Sequence, residues 1–381
     1  MEFKNKTYRS PGQLLVELLE SRGWTRRSLA IVLAMDETGI SKMVADKRDI
    51  DAPLALMLEE VFAVPANVFL ALQTELDLNR ARLVANPDPG RAARALLYAD
   101  LPINEMIKRG WIAAESVKDT KTVEKELVRF FGVERVDDIE ILPHAAKKST
   151  ANMDATPAQV AWLYRVKQIA SEMLVCAFSP DAIRFALSRL RTLMSTQDGV
   201  AKVPRVMAEC GIRFVLVEAL TGSKIDGVCF WLNDKSPVIG MSLRFDRIDN
   251  FWFVLRHEIE HVLQCHGKDG AMLDAELEKE RAGTGPDVAE EERIANEAAQ
   301  SFCVPADSLD AFVSRKAPFF SERDLIGFAR ILKVHPGVVA GQLQRKTKRY
   351  DRFRDHLVNV REIIAPNAIK DGWGDVAPVE T

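Results

Sequence analysis

The sequence predicts a mainly α-helical chain with a small antiparallel sheet, an α+β fold in which a helix-turn-helix bundle precedes a larger domain. Three observations predict it. Apolar residues recur at helical spacing through most of the 381 residues, beginning with Leu14, Leu15, Leu18 and Leu19. Three short apolar runs, Ile212–Val217, Val228–Leu232 and Val238–Leu243, follow one another around turn residues such as Asn233–Pro237 and read as strands. The stretch Phe251–His266 then carries H-E-x-x-H at His257, Glu258 and His261.

Residues 1–82 read as a compact helical unit. A helix over Pro11–Ser21 is followed by a second that Thr25 can N-cap, running through Ser28, Leu29, Ala30 and Leu33. After the short turn Ala34–Asp36, a third helix spans Glu37–Ala45 with Ile40, Met43 and Val44 inward. Two short helices about such a turn make the helix-turn-helix plan, whose second helix enters the major groove. The stretches Pro11-Gly12, Ser28-Leu29-Ala30, Ile40-Ser41, Lys47-Arg48, Ala52–Ala55 and Phe69–Asp77 resemble the XRE-type helix-turn-helix, particularly the HigA-like antitoxins. The sequence departs from that pattern where DNA would be touched. Asp36 and Glu37 repel phosphates, Gly39 stands where a long polar reader is expected, and the turn lacks its usual glycine. The unit holds 11 basic and 12 acidic residues, so its net charge does not attract DNA. Arg26, Arg27, Lys42, Lys47 and Arg48 are the candidates for neutralising phosphates, and Thr38, Ser41 and Lys42 for reading base edges. The alternative is a helical docking module that does not touch DNA.

Residues 83–150 read as a connector. Asn86–Gly90 is a breaker cluster fit for a hinge, and helical patterns follow at Arg91–Tyr98, Ile103–Arg109 and Thr122–Phe131. His144 is an ordinary loop histidine. The metal-binding domain is expected over 151–310. It opens with helices around Val160–Ala170 and Pro180–Met194, and the three strands come next. A sheet directly before the metal helix lets an extended peptide add to its edge, across the metal. Trp231 and Trp252 read as core.

On a helix, His257 and His261 lie about 40° apart around the axis on one face, so both rings reach a single zinc ion. Glu258, turned by about 100°, stands beside the metal, where it can take a proton from bound water. Asp249 and Asn250 can cap this helix and Gly267 can end it at C′. His266 falls about 180° from His257 if the helix persists and is not counted as a ligand. A third protein ligand has to come from elsewhere. Downstream, Glu292–Pro305 reads as a helix, with Val288, Ala295, Ala299 and Phe302 sharing one face at helical spacing. A carboxylate beside such a stripe is costly unless paired or bound to a metal. The helical wheel does not choose between Glu291 and Glu292, while Glu290 points away. Asn296 is placed to hydrogen-bond a histidine ligand. Cys265 and Cys303 lie near these ligands and read as inert thiols. The intervening loop 267–289 is rich in Gly and Glu and is a lid candidate.

Taken together, these segments resemble the ImmA/IrrE family of zinc metallopeptidases, whose pattern is H-E-x-x-H on one helix and a glutamate four residues before an asparagine on the next. The resemblance extends through Ile225–Leu232, Pro237–Arg244 and Asp249–Phe253 and covers roughly residues 200–310. It implies a zincin-like domain, picks Glu292 as the third zinc ligand and Asn296 as its companion, and gives Glu258 the role of general base. Glu260, where the family often has glycine, is a departure that faces away from the histidines.

Residues 311–381 are expected as a C-terminal helical region, with helices over Glu322–Leu332 and Gly337–Leu343, a basic and aromatic run Arg345–Arg354, and a frayed end from Ala365. The basic run reads as a solvated face. Hydrophobic residues at 47% and charged residues at 28% are ordinary for a globular chain. The net charge of −3 does not advertise nucleic-acid binding by the whole chain. No apolar run is long enough to span a bilayer, and the first residues lack the apolar core of a signal peptide. Five scattered cysteines without a C-x-x-C pair point to reduced thiols, and the expected location is the cytoplasm.

The function expected from these parts is a regulatory protein. A DNA-binding helix-turn-helix is joined to a zinc-dependent endopeptidase that cleaves a regulatory protein, either a partner repressor encoded nearby or the chain itself. The resemblance implies a setting of stress response, mobile elements or toxin–antitoxin pairs. The alternative is a HigA-like antitoxin and autorepressor that binds promoter DNA, as a homodimer, and a toxin, with the zinc domain sensing rather than turning over. Neither reading involves a membrane.

Overall fold

The computed structural model describes residues 2–3, 6–85, 91–139, 155–268, 270–275 and 290–379. The chain divides into two compact units, Met1–Pro89 and Gly90–Thr381.

In the first unit, β1 (Glu2–Phe3) pairs antiparallel with β2 (Lys6–Thr7). Five helices follow: α1 (Pro11–Ser21), α2 (Arg26–Val32), α3 (Glu37–Val44), α4 (Ala52–Phe62) and α5 (Ala66–Val84). Four of them start where short polar side chains satisfy first-turn N–H groups that the helix leaves unpaired. Ser10, Thr25, Asp36 and Asp51 accept from the N–H groups of Gln13, Ser28, Gly39 and Leu54. Leu15, Leu29, Ile40, Met43, Leu58 and Phe69 meet in one core. The turn between α2 and α3 has no glycine, and Ala34 itself takes the left-handed conformation at φ 51°, a strain of roughly 1–2 kcal/mol for a residue with a Cβ.

The second unit begins with α6 (Arg91–Asp100), α7 (Ile103–Lys108), α8 (Thr120–Phe131), α9 (Pro157–Glu172), α10 (Pro180–Leu193) and α11 (Val203–Glu209). Strands β3 (Arg213–Val217), β4 (Ile225–Trp231) and β5 (Pro237–Met241) come next, then α12 (Ile248–Leu263), β6 (Met272–Ala275) and α13 (Glu290–Cys303). The chain closes with α14 (Ala306–Lys316), α15 (Glu322–Leu332), α16 (Pro336–Thr347), α17 (Arg361–Ile364) and β7 (Ile369–Asp371).

The sheet has five strands in the order β6-β4-β5-β3-β7. The α+β class holds, but the sheet is mixed, not antiparallel as expected. β4 runs antiparallel to β5 and β6, whereas β3 runs parallel to β5 and β7. Alternating apolar residues state which side chains share a face; they do not state which strand lies beside which. β3 sits beside β5 instead of its sequence neighbour β4, and that order makes the pair parallel.

The sheet separates two cores. Phe214, Leu216, Cys229, Ile239 and Met241 face the core that contains α12. Val215, Val217, Val228, Phe230 and Val238 face Trp162, Val166 and Ile169 of α9, with Leu97, Met106, Val123 and Leu127 from α6–α8 in the same core. The stretch expected as a connector thus supplies, through α6–α8, part of the layer beneath the sheet; His144, together with the rest of 140–154, lies outside the described residues.

The C-terminus, expected to fray, instead adds β7. Asp371 on that strand is fully buried and accepts from Arg165 Nη2 at 2.6 Å, Arg165 Nε at 3.0 Å, Trp111 Nε1 at 2.6 Å and the Ala377 N–H at 3.0 Å. A strand of three residues carries too little periodic signal to be seen in sequence. The basic run, which starts in the last turn of α16, is largely paired within its own unit: Lys346 with Asp310 at 2.6 Å, Arg349 with Asp351 at 2.9 Å, and Arg345 over the Phe253 ring.

Candidate metal centre

α12 crosses the sheet face at β4 and packs along α13, so every residue from Ile248 to Val262 is buried. Its ends differ from those expected. Arg247 is the N-cap residue, without a side-chain cap, and Asp249 lies inside the first turn, paired with Arg247 at 2.6 Å. At the other end Cys265, at φ 60°, takes the C′ position expected of Gly267, which itself has φ 80° two residues on, and the His266 N–H closes on the His261 carbonyl at 2.9 Å. This is the pattern that terminates a helix and satisfies its last carbonyls. Gly267 serves a different purpose, since a Cβ there would stand 2.7 Å from the Cys229 carbonyl oxygen of β4.

One helical turn apart, the Nε2 atoms of His257 and His261 stand 3.0 Å from each other, both rings fully buried. Glu292 from the first turn of α13 brings Oε2 to 3.4 Å from His257 Nε2 and Oε1 to 3.5 Å from His261 Nε2. The structure thereby separates Glu292 from Glu291, which is exposed, and from Glu290, which pairs with Arg293. A fourth group was not foreseen. Asp274 of β6 places Oδ1 3.4 Å from His257 Nε2 and Oδ2 3.9 Å from His261 Nε2. One ligand atom from each of the four residues lies within 4.8 Å of the others.

Four ligands placed tetrahedrally at about 2.0–2.1 Å from an ion are roughly 3.3–3.4 Å from one another. The histidine nitrogens lie 3.0 Å apart, and each carboxylate approaches them at 3.4–3.9 Å, one oxygen to each nitrogen. The group can therefore hold a metal ion with two imidazole nitrogens and two carboxylates. Asp274 belonged to the expected lid. In fact Met272–Ala275 of that loop is a strand, while residue 269 and residues 276–289 lie outside the described residues. An acid inside the short run Met272–Ala275 was the only signal available.

The charges inside the cluster are strongly coupled. Burial alone would lower His257, but the Asp274 and Glu292 carboxylates outweigh it and lift its pKa to about 10. Burial, with His257 and His266 adding to it, lowers His261 to about 4. Asp274 is buried too, yet the neighbouring histidines bring it down to about 2. Glu258 is fully buried, its two oxygens have no hydrogen-bond partner, and burial followed by the Asp274 charge pushes its carboxyl well upward. Space for that carboxyl comes from Gly227 on β4, where a Cβ would collide with Glu258 Oε1.

Around the cluster, His266 Nδ1 lies 3.0 Å from His261 Nδ1 and so orients a ring whose other nitrogen faces the site. The reversal at Cys265 brings it there, which a continued helix would not. Asn296, expected to hydrogen-bond a histidine ligand, does not: its side-chain nitrogen and oxygen, like His257 Nδ1, are buried without a partner. Glu260 turns away to Arg256 at 2.6 Å and Gln264 at 2.7 Å. Cys265 is exposed and Cys303 is buried, its thiol pushed up to about 12 by desolvation.

In the first unit, Arg26, Arg27, Thr38, Lys42, Lys47 and Arg48 are exposed and Ser41 is half-buried. Thr38, Ser41 and Lys42 lie on α3, and the Arg48 guanidinium lies close enough to Gly39 that a Cβ there would meet Nη1 at 2.8 Å. No helix among the described residues is long and apolar enough to cross a membrane. No protein-family model, curated protein or solved structure matches this chain.

Proposed function

We propose that the chain is a zinc-dependent endopeptidase of the ImmA/IrrE kind, joined to a DNA-binding helix-turn-helix of the XRE type. The observation that carries this reading is the pairing of His257 and His261 Nε2 atoms at 3.0 Å with Glu292 at 3.4–3.5 Å, beside the fully buried carboxyl of Glu258. Two imidazoles and a carboxylate suit zinc, and a general base such as Glu258 next to them has no use in a purely structural site.

When bound there, zinc would polarise a scissile carbonyl and make a nearby water more acidic. The protein supplies the rest. Glu258 accepts a proton at its carboxylate from the attacking water and returns it to the departing amine nitrogen. Gly227 leaves the carboxyl room, and His266 keeps the His261 ring turned to the site. The substrate fitting this reading is a regulatory protein, either a repressor encoded nearby or the chain itself.

The experiment is incubation of the zinc-loaded chain with the protein encoded beside its gene. Glu258→Gln should keep zinc and abolish cleavage; cleavage undiminished in that variant would sink the mechanism. A second reading, the antitoxin and autorepressor with promoter DNA and a toxin as partners, is favoured by the exposed Arg26, Arg27, Lys42, Lys47 and Arg48. On that reading Glu258→Gln leaves promoter binding intact, whereas Lys42→Ala with Arg48→Ala weakens it. Affinity indifferent to salt would count against groove binding.

A further inference from the structure

An extended substrate reaches a metal beside a sheet by adding a strand to the sheet edge, its backbone bonding to the outermost strand and its side chains alternating toward and away from the site. The strand beside α12 that would offer that edge is β4. In this chain the edge is already filled. β6 pairs antiparallel with β4 in the register Asp274 with Gly227, Leu273 with Val228 and Met272 with Cys229. Directly opposed residues share a face. Asp274 therefore points to the same side as Gly227, toward α12, and the missing side chain of Gly227 leaves that face open. The Asp274 carboxylate is 4% exposed and stands 3.4 Å and 3.9 Å from the two histidine nitrogens.

The resulting set of two histidines, Glu292 and Asp274 is a full four-ligand shell, whereas a hydrolytic zinc keeps one position for water or substrate. The strand is four residues long, among the described strands it pairs with β4 alone, and Met272 and Leu273, which pack against the two cores, are only half-buried.

We propose that Met272–Ala275 is a built-in pseudosubstrate strand, and that Asp274 closes the metal site as a displaceable fourth ligand until the strand leaves the edge of β4. This rests on the peptidase reading above. The inhibited form keeps its metal, and what it lacks is the open position and the free edge. The ligand that displaces the strand is an extended peptide segment, which would take over the same backbone bonds and bring its own carbonyl oxygen to the position of Asp274 Oδ1.

The test uses the full chain with cobalt(II) in place of zinc, as wild type, Asp274→Asn and Asp274→Ala, and acetohydroxamate as a small bidentate probe of an open metal position. The visible spectrum reports the number and kind of ligands without any turnover. The proposal expects one metal per chain in all three proteins. It also expects a changed spectrum in Asp274→Ala and acetohydroxamate binding at least tenfold tighter to Asp274→Ala than to wild type. Asp274→Asn, close in shape to the native residue, should fall between them and guards against a folding defect. Equal acetohydroxamate affinity in all three would overturn the proposal while leaving the metal site in place. Loss of metal from both Asp274 variants would also overturn it, because Asp274 would then be an obligatory ligand. Metal retained at full affinity by His257→Ala would refute the site itself and with it the peptidase reading, an outcome distinct from the other two.

Discussion

Gly227→Ala is the smallest change that challenges the geometry of the site. The new methyl group would collide with Glu258 Oε1 and lie 2.9 Å from its Cδ and 3.0 Å from Val254 Cγ1. Neither neighbour has a way out, because Glu258 and Val254 are 0% and 1% exposed on a helix buried along its length. Forcing one methyl group into such packing costs about 1–3 kcal/mol of stability. Moving a reacting carboxyl by about 1 Å costs on the order of 100-fold in rate. The stability part is read from the midpoint of urea unfolding at unchanged slope, and the rate part from cleavage of the partner protein. Gly327→Ala in α15 is the matched control. A Cβ there meets nothing within 4 Å, so the exchange should stabilise by about 0.5–1 kcal/mol through helix propensity alone. A Gly227→Ala protein as stable and as active as the parent would refute the reasoning that Gly227 exists to seat Glu258.

Other outcomes follow from the same structure. Asp371→Ala should destabilise the second unit by about 3–5 kcal/mol in urea unfolding, since it strands the buried Arg165 guanidinium; a loss under 1 kcal/mol would show that β7 is dispensable. Metal binding should depend on pH with a definite sign. In the metal-free protein His257 titrates at about 10 and is protonated at pH 7, while His261, at about 4, is already neutral. The incoming ion must displace the His257 proton, so affinity should fall about tenfold for each unit of pH lowered between 8 and 6. Calorimetry in buffers of different ionisation enthalpy should detect about one proton released per ion, and none released would contradict the charge pattern of the cluster.

What the sequence carried was local and periodic. The H-E-x-x-H spacing placed His257 and His261 on one helical face, and the buried stripe of α13 narrowed the third ligand to two neighbours, of which the structure selects Glu292. Thr25 capped α2 as its position before the apolar spacing implied. What was not legible depends on contacts between distant segments. Asp274 lies in a strand of four residues whose pairing with β4 has no signature of its own. β7 is shorter still, and the burial of Asp371 depends on Arg165 some 200 positions earlier in the chain. The parallel placement of β3 and β5 follows from strand order, which alternation does not encode. His266, not counted as a ligand, is absent from the four residues that could hold an ion, but its place beside His261 was not legible, because the left-handed turn at Cys265 returns its ring there.

X-ray absorption at the zinc edge of the purified full chain tests the central claim most directly. One zinc per chain, ringed by nitrogen and oxygen neighbours at about 2.0–2.1 Å with the scattering signature of two imidazoles, is the predicted result. A metal-free chain, or zinc held by sulfur at about 2.3 Å, would contradict it.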